Sequence, residues 1–221
     1  MRKKRTIDSK LITVIVLLII PVIFTVLVKF VDVKPIGPDN NMIGFSKINE
    51  FFRDKIGTHM FLYKVTQLLG YLALLVVGFW GLGGAMQLFK RRHLLKVDRE
   101  LLGAGVLYIV VLGLYALFEV LAINVRPIIM AGDTLPEPSF PSSHTLLACV
   151  VFISSALLCE TYVFDQRKLK IVKAIFYGLT IFMVLARFLS GVHWFTDILG
   201  GLLYSLALVY CLKYYLDLQQ K

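Results

Sequence analysis

The sequence is poor in cysteine and shows neither a CxxC pair nor the spacing of a zinc site. Its three cysteines, Cys149, Cys159 and Cys211, all fall within apolar stretches, so we interpret them as small core residues. Internal repeats and low-complexity tracts are also lacking, and no small-residue cleavage site follows the first apolar run. That run is too long for the apolar part of a signal peptide, and we predict that it is a retained transmembrane helix.

Apolar residues dominate what is present. They make up 58% of the 221 residues, and the mean hydropathy is +0.77, which together are typical of an integral membrane protein. A membrane-spanning helix needs about 20 apolar residues, so the length leaves no room for a second, soluble domain. We predict one all-α transmembrane domain over residues 1–221. Its six spans are predicted at residues 11–31, 60–89, 101–123, 144–164, 171–190 and 197–216.

The basic residues are concentrated in alternate connections between these spans. The formal charge is +10, and Lys and Arg are frequent in "MRKKRTIDSK", in "KRRHLLKVDRE" from Lys90 and in "DQRKLK" from Asp165. Residues 124–143 and 190–196 carry almost none beyond Arg126. By the positive-inside rule, the basic connections and both termini are predicted to be cytoplasmic. Charge distributed in this way indicates contact with anionic lipid and argues against a nucleic-acid partner.

One connection on the predicted outer side, residues 32–59, has an amphipathic pattern. Its apolar residues recur at three- and four-residue steps: Phe45, Ile48, Phe51, Phe52 and Ile56. The pattern predicts a helix at the outer surface. Two interpretations are open: the helix gathers anionic lipid toward a site, or it only caps the bundle.

Ionisable residues in or beside membrane spans are energetically costly and therefore mark candidate functional sites. The predicted topology puts several of them at the outer ends of four helices, at one membrane depth. They are Glu119, Arg126, His144, Arg187, His193 and Asp197, with Asp133 and Glu137 in a nearby loop.

Five members of this set, and the two serines of "PSSH", have a chemical use at a phosphate. Arg126 and Arg187 offer planar guanidinium groups that match phosphate oxygens. Ser142 and Ser143 stand where a helix begins, so we expect a serine to cap it and the backbone N–H groups of both to bind an anion. His193 and Asp197 are four residues apart, so on a helix the carboxylate holds one imidazole nitrogen as N–H and leaves the other free to attack phosphorus. His144, on another helix, can protonate the departing oxygen.

The sequence resembles the type 2 phosphatidic acid phosphatase (PAP2) superfamily at these residues. The family pattern is K-x6-R-P, P-S-G-H and S-R-x5-H-x3-D, and the chain reads "EVLAINVRP" from Glu119, "PSSH" from Pro141 and "ARFLSGVHWFTD" from Ala186. The resemblance implies a six-helix hydrolase that needs no metal or other cofactor and works at the outer leaflet. It implies that His193 forms a phosphohistidine, Asp197 orients it and His144 is the general acid. Arg126, Arg187, Ser142 and Ser143 would hold the phosphoryl oxygens.

Three positions depart from the family pattern. Glu119 replaces the lysine, Ser143 the glycine and Ala186 the serine before the arginine. Glu119 is seven residues before Arg126, and we expect the two to share one helix face. Three interpretations are open: Glu119 pairs with an arginine and tunes the pocket for a less charged substrate, it is protonated by burial, or the site has lost activity.

The favoured function is a phosphatase that acts on a membrane-anchored phosphomonoester or pyrophosphate. Candidate substrates are undecaprenyl pyrophosphate, phosphatidylglycerophosphate and phosphatidic acid, and the expected location is a bacterial plasma membrane. One alternative is a non-catalytic PAP2-like protein that binds phospholipid head groups. Another is a metal-dependent hydrolase that uses His144, His193 and Asp197 with Asp133 or Glu137, although two arginines would repel a cation.

Overall fold

Seven α-helices follow one another in the computed structural model, which describes residues 9–218. They are α1 (Ser9–Phe30), α2 (Ser46–Ile56), α3 (Met60–Arg91), α4 (Arg99–Leu121), α5 (Ser143–Tyr162), α6 (Gln166–Leu189) and α7 (Phe195–Leu218). Short 3₁₀ helices occur at Pro38–Asn40 and Leu94–Lys96. Within residues 9–218 there is no β-strand, only two isolated bridges. The predictions for the terminal residues 1–8 and 219–221 lie outside the described residues.

Every helix except α2 is long and apolar enough to cross a membrane. This confirms the predicted all-α fold with six spans, and the chain is a multi-pass membrane protein. Helix ends differ from the predicted ones by a few residues, most of all at the start of α6, which begins at Gln166 instead of residue 171. The reason is a polar cap: the Asp165 carboxylate accepts hydrogen bonds from the backbone N–H groups of Arg167 and Lys168.

Helix α5 is the centre of the bundle and packs against α3, α4, α6 and α7. It is apolar on all sides and buries most of its residues, as expected of a helix surrounded by others. Helix α1, by contrast, packs mainly on α7 and buries only Val14, Pro21 and Val28. The central position of α5 brings its first residues into the middle of one end of the bundle.

Helix α2 is the predicted amphipathic helix, and it is attached to the start of α7. The Asn49 side chain donates to Thr196 Oγ1 at 3.0 Å and accepts from the Thr196 backbone N–H at 3.1 Å. The Phe52 ring stacks on Phe195 with the centroids 4.6 Å apart. Ile48 and Phe51, which the pattern assigned to the same apolar stripe, are exposed instead. The packed face therefore includes a polar residue, and α2 holds the start of α7 in position.

The connection between α4 and α5 folds back on itself beside the bundle end. Val125 forms an isolated bridge with Pro138, and the Arg126 N–H donates to the Glu137 carbonyl at 2.9 Å. Phe140 is buried and packs edge-on against Phe118 of α4, with the ring centroids 5.7 Å apart. These contacts hold residue 126 next to the first turn of α5.

Candidate active site

His193 and Asp197 lie at the turn from α6 into α7. Gly191 has φ +69°, and a Cβ there would come within 1.8 Å of the Gly57 carbonyl oxygen, so this close turn requires glycine. Asp197 is fully buried, and its Oδ2 accepts a hydrogen bond from the Trp194 N–H at 3.0 Å. His193 Nδ1 is 3.4 Å from the same carboxylate oxygen. The carboxylate therefore faces one nitrogen of the imidazole and leaves the other to the interior of the site.

Arg187 reaches that interior from α6 and is completely buried. Its Nη1 donates to Thr66 Oγ1 at 3.0 Å, and its guanidinium lies 5.1 Å from the ring centroid of Tyr63. Its Nη2 is 3.1 Å from His193 Nε2 and 3.4 Å from His144 Nδ1. A guanidinium only donates hydrogen bonds, so each of these ring nitrogens is the unprotonated one of its imidazole. The proton of neutral His193 is then on Nδ1, opposite Asp197, and Nε2 carries the free lone pair.

The pKa of His193, which lies in the turn between two spans, is well below its usual value. Burial is the main cause, and the positive charges of Arg187 and Arg126 act in the same direction. The neutral imidazole therefore predominates at neutral pH. This is the protonation state that a nucleophilic nitrogen requires.

His144 stands in the first turn of α5, with its ring against α3. A Cβ at Gly70 would come within 2.9 Å of His144 Cδ2 and 3.2 Å of Nε2. Gly70 thus leaves room for the Cδ2–Nε2 edge of the ring against α3, with Nδ1 toward Arg187. The other ring nitrogen, Nε2, then carries the proton of the neutral ring.

Arg126 points into the site from the connection between α4 and α5. Its Nη2 forms an ion pair of 2.9 Å with Glu137 Oε2, and only 11% of its side chain is exposed. Its Nε and Nη1 are buried and have no hydrogen-bond partner within residues 9–218. Buried donors of this kind are costly unless a ligand accepts from them. The donors left unpaired fit the predicted use of Arg126 at a phosphate.

A cavity of about 380 Å³ leads from these residues along α3, α4 and α5. His144, His193 and Arg126 line one part of it, and apolar or aromatic side chains of the three helices line most of the rest. Tyr71 and Leu112 belong to this lining and are also exposed on the outer surface of the spans. The cavity therefore extends from the histidines to the surface that faces lipid.

Comparison with known proteins gives matches to a family model and to solved structures. The model of the PAP2 superfamily matches residues 101–221, more than half of the chain. The chain belongs to the PAP2 superfamily. Similar solved structures include a transmembrane PAP2-type phosphatidylglycerolphosphate phosphatase from Bacillus subtilis, at 20% identity and a TM-score of 0.64, covering 94% of this chain and 97% of that one. LpxE from Aquifex aeolicus matches at 20% identity and a TM-score of 0.45, covering 78% and 96%. No curated protein sequence matches the chain.

Members of the PAP2 superfamily are phosphatases, so a phosphoric ester hydrolase is the activity that membership supports. The Bacillus subtilis structure shares the fold of this chain over nearly its full length. Six of the predicted ionisable residues, all except Asp133 and Glu137, lie at one end of this PAP2 fold. Of these six, the cavity lining includes Glu119, Arg126, His144 and His193, whereas Arg187 and Asp197 are buried behind the imidazoles.

Two details of the predicted phosphate cradle are wrong. The Ser142 backbone N–H donates to the Asp197 carbonyl at 2.9 Å, and its hydroxyl accepts from Thr145, so Ser142 connects α5 to α7 and its own N–H is not available to a phosphate. Ser142 occupies the N-cap position, but its side chain makes no capping hydrogen bond. Ser143 does line the cavity, and its Oγ is 3.5 Å from His144 Nδ1. The N–H groups at the start of α5 that remain for an anion begin at Ser143.

The expected shared helix face of Glu119 and Arg126 is also wrong. Helix α4 ends at Leu121, and Ala122 has a left-handed backbone with φ 42°, so Arg126 is not on that helix. Arg126 pairs with Glu137 instead, while Glu119 is exposed in the last turn of α4 and lines the same cavity. Exposure also removes the premise that burial protonates Glu119.

Sequence reasoning missed the residues that position Arg187. Thr66 and Tyr63 belong to α3, for which the sequence pattern predicts an apolar span without site residues. A signal was present, because Thr66 and Gln67 are uncharged polar residues in the middle of an apolar run. Glu137 was noted only as a loop residue and a metal-ligand alternative. In residues 9–218 no group of three or more His, Cys, Asp or Glu side chains could hold a metal ion.

Proposed function

We propose that this protein is a membrane lipid phosphatase that hydrolyses a phosphomonoester or pyrophosphate through a phosphohistidine on His193. The observation that carries the proposal is the meeting of Arg187 Nη2 with His193 Nε2 at 3.1 Å and His144 Nδ1 at 3.4 Å. Two imidazoles and a guanidinium are thus joined beside a largely apolar cavity. Such a cavity suits a lipid tail, and the three polar groups suit its phosphate.

The first chemical step uses both histidines. The substrate phosphate takes over the hydrogen bonds of Arg187 Nη2, which frees the His193 Nε2 lone pair to attack phosphorus. Once Arg187 Nη2 turns to the phosphate, His144 Nδ1 is free to take up a proton from solvent, which makes His144 an imidazolium. The N–P bond forms as the P–O bond to the lipid breaks, and the His144 imidazolium gives one proton to the leaving oxygen and becomes neutral. Asp197 stabilises the positive charge that develops on the His193 ring, as a buried carboxylate does for a catalytic imidazole.

The second step returns the enzyme to its starting state. A water attacks the phosphohistidine, and His144, now neutral, accepts the proton of that water. The N–P bond breaks, inorganic phosphate leaves, and His193 Nε2 regains its lone pair. Arg126 supports both steps, because its buried Nε and Nη1 can donate to the non-bridging oxygens, whose charge grows in the transition state. No step needs a metal ion or another cofactor.

The membrane orientation belongs to the same proposal. The site lies where α4 and α6 end and where α5 and α7 begin. Basic connections with Lys90, Arg91 and Lys168 lie at the opposite end of these helices. By the positive-inside rule that end faces the cytoplasm, so both termini are cytoplasmic and the site opens at the outer leaflet, as in a bacterial plasma membrane. The candidate substrates remain undecaprenyl pyrophosphate, phosphatidylglycerophosphate and phosphatidic acid.

The test is release of inorganic phosphate from these three lipids by the purified full-length protein in detergent micelles with excess chelator. We expect turnover of at least one lipid and a loss of about 10³-fold or more in His193→Ala. His93→Ala is the matched control, because His93 is exposed at the opposite end of the bundle. Equal phosphate release by wild type and His193→Ala would refute the proposal.

One observation favours a second candidate, a PAP2-like protein that binds phospholipid head groups without cleaving them. Glu119 puts a negative charge in the cavity, and Glu137 already pairs with Arg126. This candidate predicts that a lipid phosphate binds to wild type and to His193→Ala with the same affinity, and that neither releases phosphate. Equilibrium binding and phosphate release measured on the same samples separate the two candidates.

A further inference from the structure

Within residues 9–218, Glu119 is the one carboxylate in the cavity lining, and the phosphatase mechanism does not use it. It lies in the last turn of α4, its side chain is exposed, and it lines the same cavity as His144 and His193. Within residues 9–218 it has no ion-pair or hydrogen-bond partner, whereas Glu137 has Arg126. An unpaired carboxylate beside a phosphate site works against an anionic substrate, unless the substrate itself supplies a positive charge.

The charges that line the cavity also favour a substrate that carries a positive group. Arg126 and Glu119 are the only Lys, Arg, Asp or Glu in the cavity lining within the described part of the chain. Arg187 is fully buried behind the two imidazoles, and the charge of Arg126 is already matched by Glu137. A phosphomonoester carries about −1.5 to −2 charges at neutral pH. A substrate with one phosphate and one cationic group complements both Arg126 and Glu119, and a substrate with extra negative charge does not.

The surroundings of Glu119 suit an ammonium group in particular. Tyr115 is four residues earlier on α4, so the two side chains share one face of the helix, and both line the cavity. Tyr115 is 53% exposed, which leaves its ring accessible. An alkylammonium group gains from a carboxylate and from the face of an aromatic ring at the same time. Leu112, one turn further along, continues the wall with an apolar side chain for the lipid chain.

We propose that Glu119 and Tyr115 form a subsite for a protonated amine, so that the preferred substrate is a zwitterionic lipid phosphate with a free amino group near the phosphate. This inference rests on the proposed function and narrows its substrate class. It disfavours pyrophosphates, whose additional negative charge meets the Glu119 carboxylate. The subsite contributes to substrate binding, and the phosphohistidine chemistry stays with His193.

The test compares two lipids that differ only at the nitrogen. Sphingosine 1-phosphate has a free ammonium group, and its N-acetyl derivative has the same phosphate and chain without that charge. We expect wild type to hydrolyse the amine with a kcat/KM about fivefold higher, which is the scale of one partly exposed ion pair. Glu119→Gln, which keeps size and shape, should reduce the ratio to about one, and Glu119→Lys should invert it. Glu100→Gln, at the other end of α4, is the matched control and should leave the ratio unchanged.

The outcomes separate this inference from the function on which it rests. Equal kcat/KM for the two lipids, or a preference that survives in Glu119→Gln, overturns the amine subsite and leaves the phosphatase intact. Turnover of phosphatidic acid with none of sphingosine 1-phosphate overturns it as well. If no lipid phosphate is hydrolysed and wild type matches His193→Ala, the proposed function fails and the substrate assignment fails with it.

Discussion

The inner part of the site and its entrance differ in how their charges are held. Inside, Arg187 and Asp197 are completely buried and His193 is 6% exposed, and each is in close contact with at least one of the others. At the entrance, Glu119 is exposed and has no partner among residues 9–218, and Glu137, which pairs with Arg126, is about half exposed. In the inner part, packing and hydrogen bonds fix the polar atoms. At the entrance, the polar atoms remain accessible to solvent or to a ligand.

This difference indicates which positions tolerate substitution. Removing one partner of a buried charged pair leaves an uncompensated charge, which is strongly destabilising, whereas an exposed charge costs little to change. Three residues that match the PAP2 pattern, Arg187, His193 and Asp197, are among the buried ones. The departure with reversed charge, Glu119, is at the entrance. We infer that the inner region sets the chemistry and the entrance sets the choice of substrate, so inner substitutions should change kcat and entrance substitutions should change KM.

Asp197→Asn should have the largest effect on the inner region. The amide keeps the size of the side chain but removes the charge that faces His193 Nδ1 at 3.4 Å, and it favours the wrong tautomer of the ring. We expect kcat for phosphate release to fall by about 10³–10⁴-fold with KM nearly unchanged. Asp133→Asn is the control, because Asp133 lies in a turn outside the site. A loss of less than tenfold would contradict the role assigned to Asp197.

Gly70→Ala tests whether the position of His144 matters. The added methyl would be 2.9 Å from His144 Cδ2, so the ring has to shift away from α3. Displacement of a catalytic group by about 1 Å can cost about 10²-fold, and we expect kcat to fall by about 10- to 100-fold. Gly78→Ala is matched to it, because a Cβ on Gly78 of the same helix meets nothing within 4 Å. Equal kcat in the two variants would remove His144 from the mechanism.

Thr66→Val tests the support of Arg187. Valine keeps the shape of threonine but cannot accept the 3.0 Å hydrogen bond from Arg187 Nη1, which leaves a buried charged donor unpaired. We expect kcat to fall by about tenfold and Tm to fall by several degrees. Thr66→Ser, which keeps the hydroxyl, should restore both. A Tm loss without any change in kcat would mean that Thr66 is structural only.

The sequence was sufficient to predict the parts of the fold and site that depend on composition and spacing. Six apolar runs predicted six spans, and Lys and Arg counts arranged them so that Arg126, His144 and His193 fell at one end. Arg187 and His193 are six residues apart, and the structure joins them through the turn at Gly191. Residues fixed by a motif can therefore be predicted without knowledge of any tertiary contact.

Tertiary contacts explain what the sequence could not predict. Whether Ser142 binds an anion or the Asp197 carbonyl depends on how α5 meets α7, which no local pattern contains. The partner of Arg126 depends on the connection between α4 and α5 turning back to bring Glu137 beside it. Thr66 reaches Arg187 across 121 residues of sequence. The residues that the sequence misassigns or misses are thus those whose role depends on contacts with a neighbouring helix or connection.

Glu137→Gln should give the smallest effect, and it tests the entrance side of the comparison. The glutamine removes the charge that competes with a substrate phosphate for Arg126 Nη2, while keeping the size of the side chain. Because half-exposed ion pairs are weak, we expect KM for a lipid phosphate to fall by only about two- to fivefold, with kcat unchanged. Glu160→Gln, which breaks the exposed pair with Lys173 at the opposite end of the bundle, is the control. If KM rises instead, Glu137 holds Arg126 in its binding position. Arg126 would then belong to the fixed interior of the site and not to its adjustable entrance.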